Sequence, residues 1–455
     1  MSQTRNDQMR MAAFLNAGPG GVCGWRHEGA ELNFFSPAYY QHITDVLEEG
    51  LFDLLFIPDS QTVPRALGDS IEINVRHGVG TPRLEPLTVL SALTMVTKHL
   101  GLVATASTGF QEPYGLARQL ATLDHLTAGR AGWNIVTSFQ DAEAQNYSLD
   151  ALPPRAERYA RAQEFLEVIT QLWDSWGDDA LDIDPARGTF AKPEEVHAID
   201  HVGEHFKVRG PLGIPRTPQG YPVLVQAGAS PQGRDFAARW ADVIFASHES
   251  LESAAAFYAD VKQRARGFGR DPDHIKILTA ATTVIGATPE EALKLHHEFE
   301  ELVPPEAGLS RLAYHIDYDL SKLDMDGPLP DLDVPGVSGH WDEVVEYARR
   351  ENATVRQVGR WYGARTEGNL VGSPKQVADR MEEWFVNRAC DGFMIQPTHP
   401  PVPFEQVVRL VIPELQARGL FRTSYAGPTL RDNLGIPRPQ RGEWLLRSGR
   451  AAVSA

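Results

Sequence analysis

Eight short runs of almost unbroken apolar residues recur along this 455-residue chain, and they restrict its fold more than any other feature. They are MRMAAFLNA (9–17), FDLLFIPD (52–59), LGLVATAST (100–108), RAGWNIVTS (130–138), PVLVQAG (222–228), DVIFASH (242–248), IKILTAATTVIG (275–286) and GFMIQP (392–397). A parallel strand covered by helices on both faces reads this way. Helical patterns lie between the runs. Leu116, Leu120 and Leu123 recur at helical spacing, and Phe165, Leu166, Ile169, Leu172 and Trp173 fall on one stripe. Eight such alternations predict a (β/α)8 TIM barrel. An open doubly wound sheet would show a glycine-rich first turn. The stretch AFLNAGPGGVCG (13–24) has the glycines, but lacks GxGxxG spacing and a helix directly after it.

Barrels run long as single units, so residues 1–455 are predicted to form one domain. Two stretches exceed what a minimal barrel needs. Residues 174–221 are rich in Asp, Pro and Gly, and residues 300–370 hold helical stretches broken by GPLPDLDVPGVSG. Both are predicted as insertions at the C-terminal face, where barrel chemistry lies. From about residue 422, TSYAGPTLRDNLGIPRPQ reads as an extended tail.

The formal charge of −17, without a Lys/Arg-rich run, argues against nucleic acid and anionic membrane as partners. Two cysteines, Cys23 and Cys390, offer neither a disulfide framework nor a metal cluster, so no metal is expected. The N-terminus lacks a signal-peptide pattern, which predicts a reducing, cytoplasmic setting.

Candidate site residues lie where strands end. These are Asp59, Thr105, Asn134 and the loop QAGASPQG (226–233) with Ala229 and Ser230. Few are acids or bases, and no paired catalytic carboxylates, HExxH or GxSxG appear. The pattern suits a site that holds an organic cofactor. Ser230 is placed to cap a helix whose first N–H groups attract phosphate. Arg155 and Tyr159, four residues apart, share a face at another helix start. The alternative is a plain cap, a solvated charge and a packing tyrosine. Asn134, between Trp133 and Ile135 in a strand that reads as core, is either a satisfied buried amide or a ligand contact. Cys23 reads as an ordinary buried thiol, and His296 and His297 as solvated helix positions.

The blocks EPYGLARQLATLDHLTAGRAGWNIVTS, ERYARAQEF, YPVLVQAGASPQGRDFAA and TLRDNLGI resemble the bacterial luciferase-like flavin-dependent monooxygenases. The similarity is strongest to the group with nitrilotriacetate, EDTA and dibenzothiophene-sulfone monooxygenases. The resemblance implies a barrel that binds reduced FMN (FMNH2) and dioxygen and inserts one oxygen atom into a small organic substrate. A separate NAD(P)H:flavin reductase would supply the flavin, and a homo-oligomer, dimer or tetramer, is expected. It places Asp59, Thr105 and Asn134 around the ring and ribityl chain, with Thr105 and Asn134 orienting dioxygen by hydrogen bonds. Tyr159 and the Ala229–Ser230 loop would meet the phosphate, with Arg155 where the family has histidine. His315 is expected to contact substrate or act as acid or base, against a structural histidine. The rivals are a deazaflavin-dependent oxidoreductase on the same barrel and a non-catalytic flavin-binding protein.

Overall fold

The structure is a computed structural model that describes residues 5, 7–228, 230–248, 250–334, 338–364, 368 and 370–449. All eight apolar runs form strands: β1 (Arg10–Phe14), β2 (Leu54–Ile57), β3 (Gly101–Ser107), β4 (Ala131–Val136), β5 (Val223–Ala227), β6 (Val243–Ala246), β7 (Lys276–Ile285) and β8 (Gly392–Gln396). Each pairs in parallel with the next, and β8 pairs with β1, so the sheet closes into a barrel. A three-residue strand, Leu370–Gly372, pairs alongside the far end of β7.

The pleat sorts each strand's side chains. Ala12, Leu54, Phe56, Val103, Val225 and Met394 pack inside the barrel, whereas Met11, Leu55, Leu102 and Ile395 face the helical layer. In β4, Trp133 and Ile135 pack outward against the helices Pro113–Leu126 and Arg155–Trp173. Side chains alternate along a strand, so Asn134 points inward. Gly132, two residues earlier, has no room for more. A Cβ there would lie 2.8 Å from a Val103 methyl and 3.1 Å from the Val223 carbonyl oxygen.

The N-terminal mouth is held by a repeated device. Asp53, Asp242 and Asp391 each precede a strand by one residue, and each carboxylate accepts the N–H of a neighbouring strand. The pairs are Met11 to Asp53 (2.7 Å), Leu224 to Asp242 (3.1 Å) and Ile277 to Asp391 (2.9 Å). All three carboxylates are buried, and buried charge persists only when paired. Arg422 pairs with Asp53, Arg431 and Arg447 with Asp242 at 2.7 and 3.1 Å, and Lys262 with Asp391 at 3.1 Å.

Three of those arginines come from the chain's end, which corrects the expected extended tail. Residues 422–449 fold across the N-terminal mouth, and the helix Leu430–Leu434 plugs it. Leu430, Leu434 and Ile436 join the barrel-interior cluster. The space above Gly101 belongs to Leu430, whose methyls lie 2.6 and 2.7 Å from where a Cβ would sit. An apolar barrel floor open to water is costly, and these three side chains cover it.

The first insertion also departs from its expected place. It folds into two hairpins, Leu181–Asp184 with Thr189–Ala191 and His201–Val202 with Lys207–Val208. Phe206 and Leu212 pack in the helical layer, His201 bonds Glu164 at 3.0 Å, and Arg216 pairs with Asp174 at 3.0 Å. Apolar residues in its turns anchor it to the flank of Arg155–Trp173 instead of the C-terminal face. The second insertion does reach that face. Its helices Pro305–Ile316 and Val355–Ala364 cross at glycines, since a Cβ on Gly308 would lie 1.7 Å from the Gly359 carbonyl oxygen.

Candidate active site at the C-terminal mouth

Two adjoining spaces open at the C-terminal ends of the strands. One, of about 490 Å³, is lined by Asp59, Gln61, Thr105 and Tyr147 among others. The second, of about 300 Å³, lies between Phe14, Phe245 and Gln396 at strand ends and Ser310, Arg311 and His315 of the insertion helix. Ser60, Gly80, Thr81 and Arg83 line both.

Thr105 and Asn134 are register partners on β3 and β4, and both are buried. Thr105 Oγ1 donates to the Ile57 carbonyl at 2.8 Å, and Asn134 Nδ2 donates to Thr105 Oγ1 at 3.0 Å. With its only proton directed at Ile57, the threonine oxygen can only accept from Asn134. That fixes the amide orientation. It also corrects the expectation that Thr105 offers a hydroxyl to dioxygen, because its proton is already committed. Asn134 Oδ1 is buried with no hydrogen-bond partner among the described residues. A buried acceptor without a donor costs about 1–3 kcal/mol, which a ligand N–H or O–H would relieve. This fits a cofactor with donor groups, the reduced flavin among them.

Asp59 stands two residues past β2, half-buried, with Gln61 Nε2 at 3.4 Å. Burial pushes its carboxyl above the usual range, while Arg83 and Gln61 pull the other way.

Tyr159 and Ser230 converge at the start of the helix Pro231–Trp240. Ser230 Oγ accepts from Gly233 N at 3.1 Å, the expected cap. A Cβ on Gly233 would lie 3.1 Å from both Ser230 Oγ and Tyr159 Oη. The two hydroxyls therefore flank a hollow that glycine keeps open over the helix N-terminus. Such a cradle suits phosphate, with N–H groups and the helix dipole aimed at it. Tyr159 is held edge-on against Phe236 at 5.7 Å. Ala229 lies outside the described residues. Arg155 is exposed at the first turn of its helix and makes no hydrogen bond or ion pair among the described residues, so no contact joins it to this cradle. The nearby Arg158 donates instead to the carbonyls of Ser138 and, at 3.5 Å, Thr137, bracing the loop after β4. Burial and Arg155 lower its pKa.

His315 lies on the second space, its Nδ1 2.6 Å from the Tyr362 hydroxyl. The helix Pro305–Ile316 puts Leu309, Leu312 and Ile316 into the insertion's own core. Ser310, Arg311, Tyr314 and His315 sit at i, i+1, i+4 and i+5 and face the cavity.

Several lining residues escaped sequence reasoning. Phe14 and Phe245 line the second space and form an aromatic triad with the buried Phe56, with centroids 5.4, 5.8 and 6.1 Å apart. They come from three strands, and nothing local marks them beyond their place near strand ends. Arg83 lies in a loop without periodicity. The polar stripe at 310, 311, 314 and 315 was a usable signal. Cys23 is buried, its thiol pushed up to about 11 by burial. His297 is exposed, while the His296 side chain is only 22% accessible.

The luciferase-like monooxygenase family matches residues 16–392. The chain is 42% identical to nitrilotriacetate monooxygenase component A of Aminobacter aminovorans, over 96% of this chain and 98% of that one. It is 43% identical to the dibenzothiophene-sulfone monooxygenase of Rhodococcus erythropolis (strain XP), again over 96% and 98%. A riboflavin lyase solved with modified FMN and its substrate riboflavin superposes with a TM-score of 0.84 at 33% identity, covering 95% of this chain and 97% of that chain. The chain belongs to the luciferase-like monooxygenase family. It is a flavin-dependent monooxygenase that uses reduced FMN and dioxygen. No helix among the described residues is long and apolar enough to cross a membrane.

Proposed function

We propose that the protein is the oxygenase of a two-component system. A separate NAD(P)H:flavin reductase provides reduced FMN, and a small organic substrate is oxidised in the cavity beneath the second insertion. The Tyr159–Ser230–Gly233 cradle carries this reading, because it is built for a phosphate at the rim of the same mouth. Tyr159, Ser230 and the first N–H groups of Pro231–Trp240 hold the phosphate, with Ala229 beside them. Arg155 contributes charge at a distance. Asp59 and Asn134 face the flavin ring, and Thr105 positions Asn134. When bound, reduced FMN supplies the electrons with which dioxygen is activated.

The chain's own residues do the rest. Asn134 Oδ1 gives a fixed acceptor to the group above it, without reorganising during the reaction. The aromatic triad closes the barrel below and excludes water. His315, oriented by Tyr362, holds or passes a proton at the substrate. We read the chain as one barrel domain whose second insertion sets substrate choice. We also read it as a cytoplasmic homo-oligomer of two or four copies, on the exposed Leu181, Ile183 and Phe190 of the first hairpin.

The test is anaerobic titration with reduced FMN, then rapid mixing with oxygen beside a reduced deazaflavin control. Oxygen uptake that depends on bound reduced FMN supports the reading. Hydride transfer from the deazaflavin without oxygen uptake would replace it.

A further inference from the structure

The cavity under the insertion helix has a charge pattern unlike the rest of the molecule. Arg83 and Arg311 line it together with His315, and among the described residues no Asp or Glu does. The whole chain carries −17, so a cavity whose charged lining residues are the two arginines stands out against its background. Arg83 is half-buried and makes no hydrogen bond or ion pair among the described residues. The buried arginines Arg216, Arg422 and Arg431 meet carboxylates, and Arg130 meets carbonyl and hydroxyl oxygens of Thr127, Leu100 and Thr97. Partly burying a guanidinium without an acceptor is unfavourable, unless a ligand brings one. Arg311 donates to the Gly363 carbonyl at 3.4 Å and leans over the Tyr362 ring at 6.0 Å, which ties it to the insertion wall. Apolar surface from Phe14, Phe245, Val22 and Val79 completes the lining.

We infer that this cavity takes a small organic anion, a carboxylate held by Arg83 and Arg311 with its apolar part against Phe14 and Phe245. The inference rests on the monooxygenase reading for its chemistry but not for its binding. Guanidinium meets carboxylate through two parallel N–H donors, which gives orientation as well as attraction. An oriented carboxylate would leave the apolar end of the substrate directed toward the strand ends. Asp59 and Glu85 line the adjoining space with Arg83, and neither makes a hydrogen bond or ion pair with it among the described residues.

The experiment is equilibrium calorimetry on the full chain with FMN present. The probes are matched pairs of thioether acids and their neutral amides: (benzylthio)acetate with (benzylthio)acetamide, and (hexylthio)acetate with its amide. The wild type should bind an acid roughly 10–100-fold more tightly than its amide, the range for charge-assisted hydrogen bonds. Arg83→Gln and Arg311→Gln should each shrink that ratio while thermal melts stay near wild type. Absence of acid preference in every pair, or a preference that survives both substitutions, overturns the inference. So does a loss of reduced-FMN affinity in Arg83→Gln with acid preference intact, which would put Arg83 on the cofactor. No turnover is read, so failure here is separate from failure of oxygen uptake with reduced FMN.

Discussion

Tyr159→Phe tests the phosphate cradle with the least disturbance to the fold. The ring packs edge-on to Phe236 at 5.7 Å, and phenylalanine keeps that contact. Only the hydroxyl is lost, the group 3.1 Å from the point a Gly233 Cβ would occupy. A hydrogen bond to a charged phosphate is worth about 1.5–3 kcal/mol, so FMN affinity should fall roughly 10- to 150-fold. Riboflavin, which lacks the phosphate, should bind wild type and variant alike. Gly233→Ala approaches the same point from the other side. Its methyl would enter the hollow and press on both hydroxyls, so FMN should weaken again while riboflavin holds. The assay is anaerobic titration of the wild type and both variants with reduced FMN and reduced riboflavin. Equal losses for both ligands in Tyr159→Phe would move the phosphate elsewhere and return Tyr159 to packing.

Other expectations follow from the same geometry. Asn134→Ala should lower product formed per reduced flavin oxidised and weaken reduced-flavin binding by about 0.5–1.5 kcal/mol, the net worth of a hydrogen bond that its buried Oδ1 accepts from the ligand. Thr105→Val removes the acceptor that orients Asn134 and should show a milder form of the same defect; unchanged coupling with a large drop in melting temperature would make the pair structural. Asp242→Asn should destabilise the fold by about 3–5 kcal/mol in denaturant titration, because Arg431, Arg447 and Arg270 lose a shared partner. Burial alone would raise that carboxyl, but the three arginines outweigh it and hold it below the usual range. His399 gives a pH signature. Burial, then His27, lowers its pKa to about 3. Its neutral form therefore stabilises the fold above the unfolded value of about 6.5, and that contribution is lost as pH falls toward 3. Between pH 6.5 and 5 the wild type should lose up to about 2 kcal/mol more than His399→Phe, measured by denaturant titration at each pH.

What was legible in the sequence followed from period and position. The eight strands stood out because parallel strands buried on both faces carry apolar runs that no amphipathic helix reproduces. Asn134 was visible for a related reason. Polar atoms are rare in such runs, and the pleat that sends Trp133 outward sends its neighbour into the barrel. Tyr159 and Ser230 were found at helix starts, where the local chain already explains what a hydroxyl does. The misses share a different cause. The tail read as extended because its apolar residues Leu430, Leu434 and Ile436 span barely two turns, and only a barrel floor elsewhere in the chain explains them. The first insertion was placed on the wrong surface because the anchors Phe206 and Leu212 carry no sign of which surface they will meet.

Arg83 shows where sequence reasoning stops for the site itself. Its surroundings in the chain are prolines, a glycine and a threonine, and no spacing distinguishes it from a solvated loop arginine. Its meaning depends on what the fold leaves out. Of the two spaces it lines, the one under the insertion has no carboxylate among the described residues, although acids outnumber Lys and Arg 60 to 43 in the chain; Asp59 and Glu85 line the other. In a protein of this charge, an arginine near the surface would ordinarily meet an acid or be screened by water. Arg83 is half-buried and lines one cavity with Arg311, which comes from a segment more than two hundred residues away in sequence. That pairing exists only after the second insertion has folded over the barrel mouth. Substrate choice and the fold of the insertion are therefore one problem. A substitution that loosens the Gly308–Gly359 crossing, such as Gly359→Ala, should shift Arg311 away from Arg83 and relax discrimination between acid and amide before it affects FMN. The same calorimetry reads that outcome, and an unchanged acid-to-amide ratio in a folded Gly359→Ala protein would separate the crossing from the recognition of substrate.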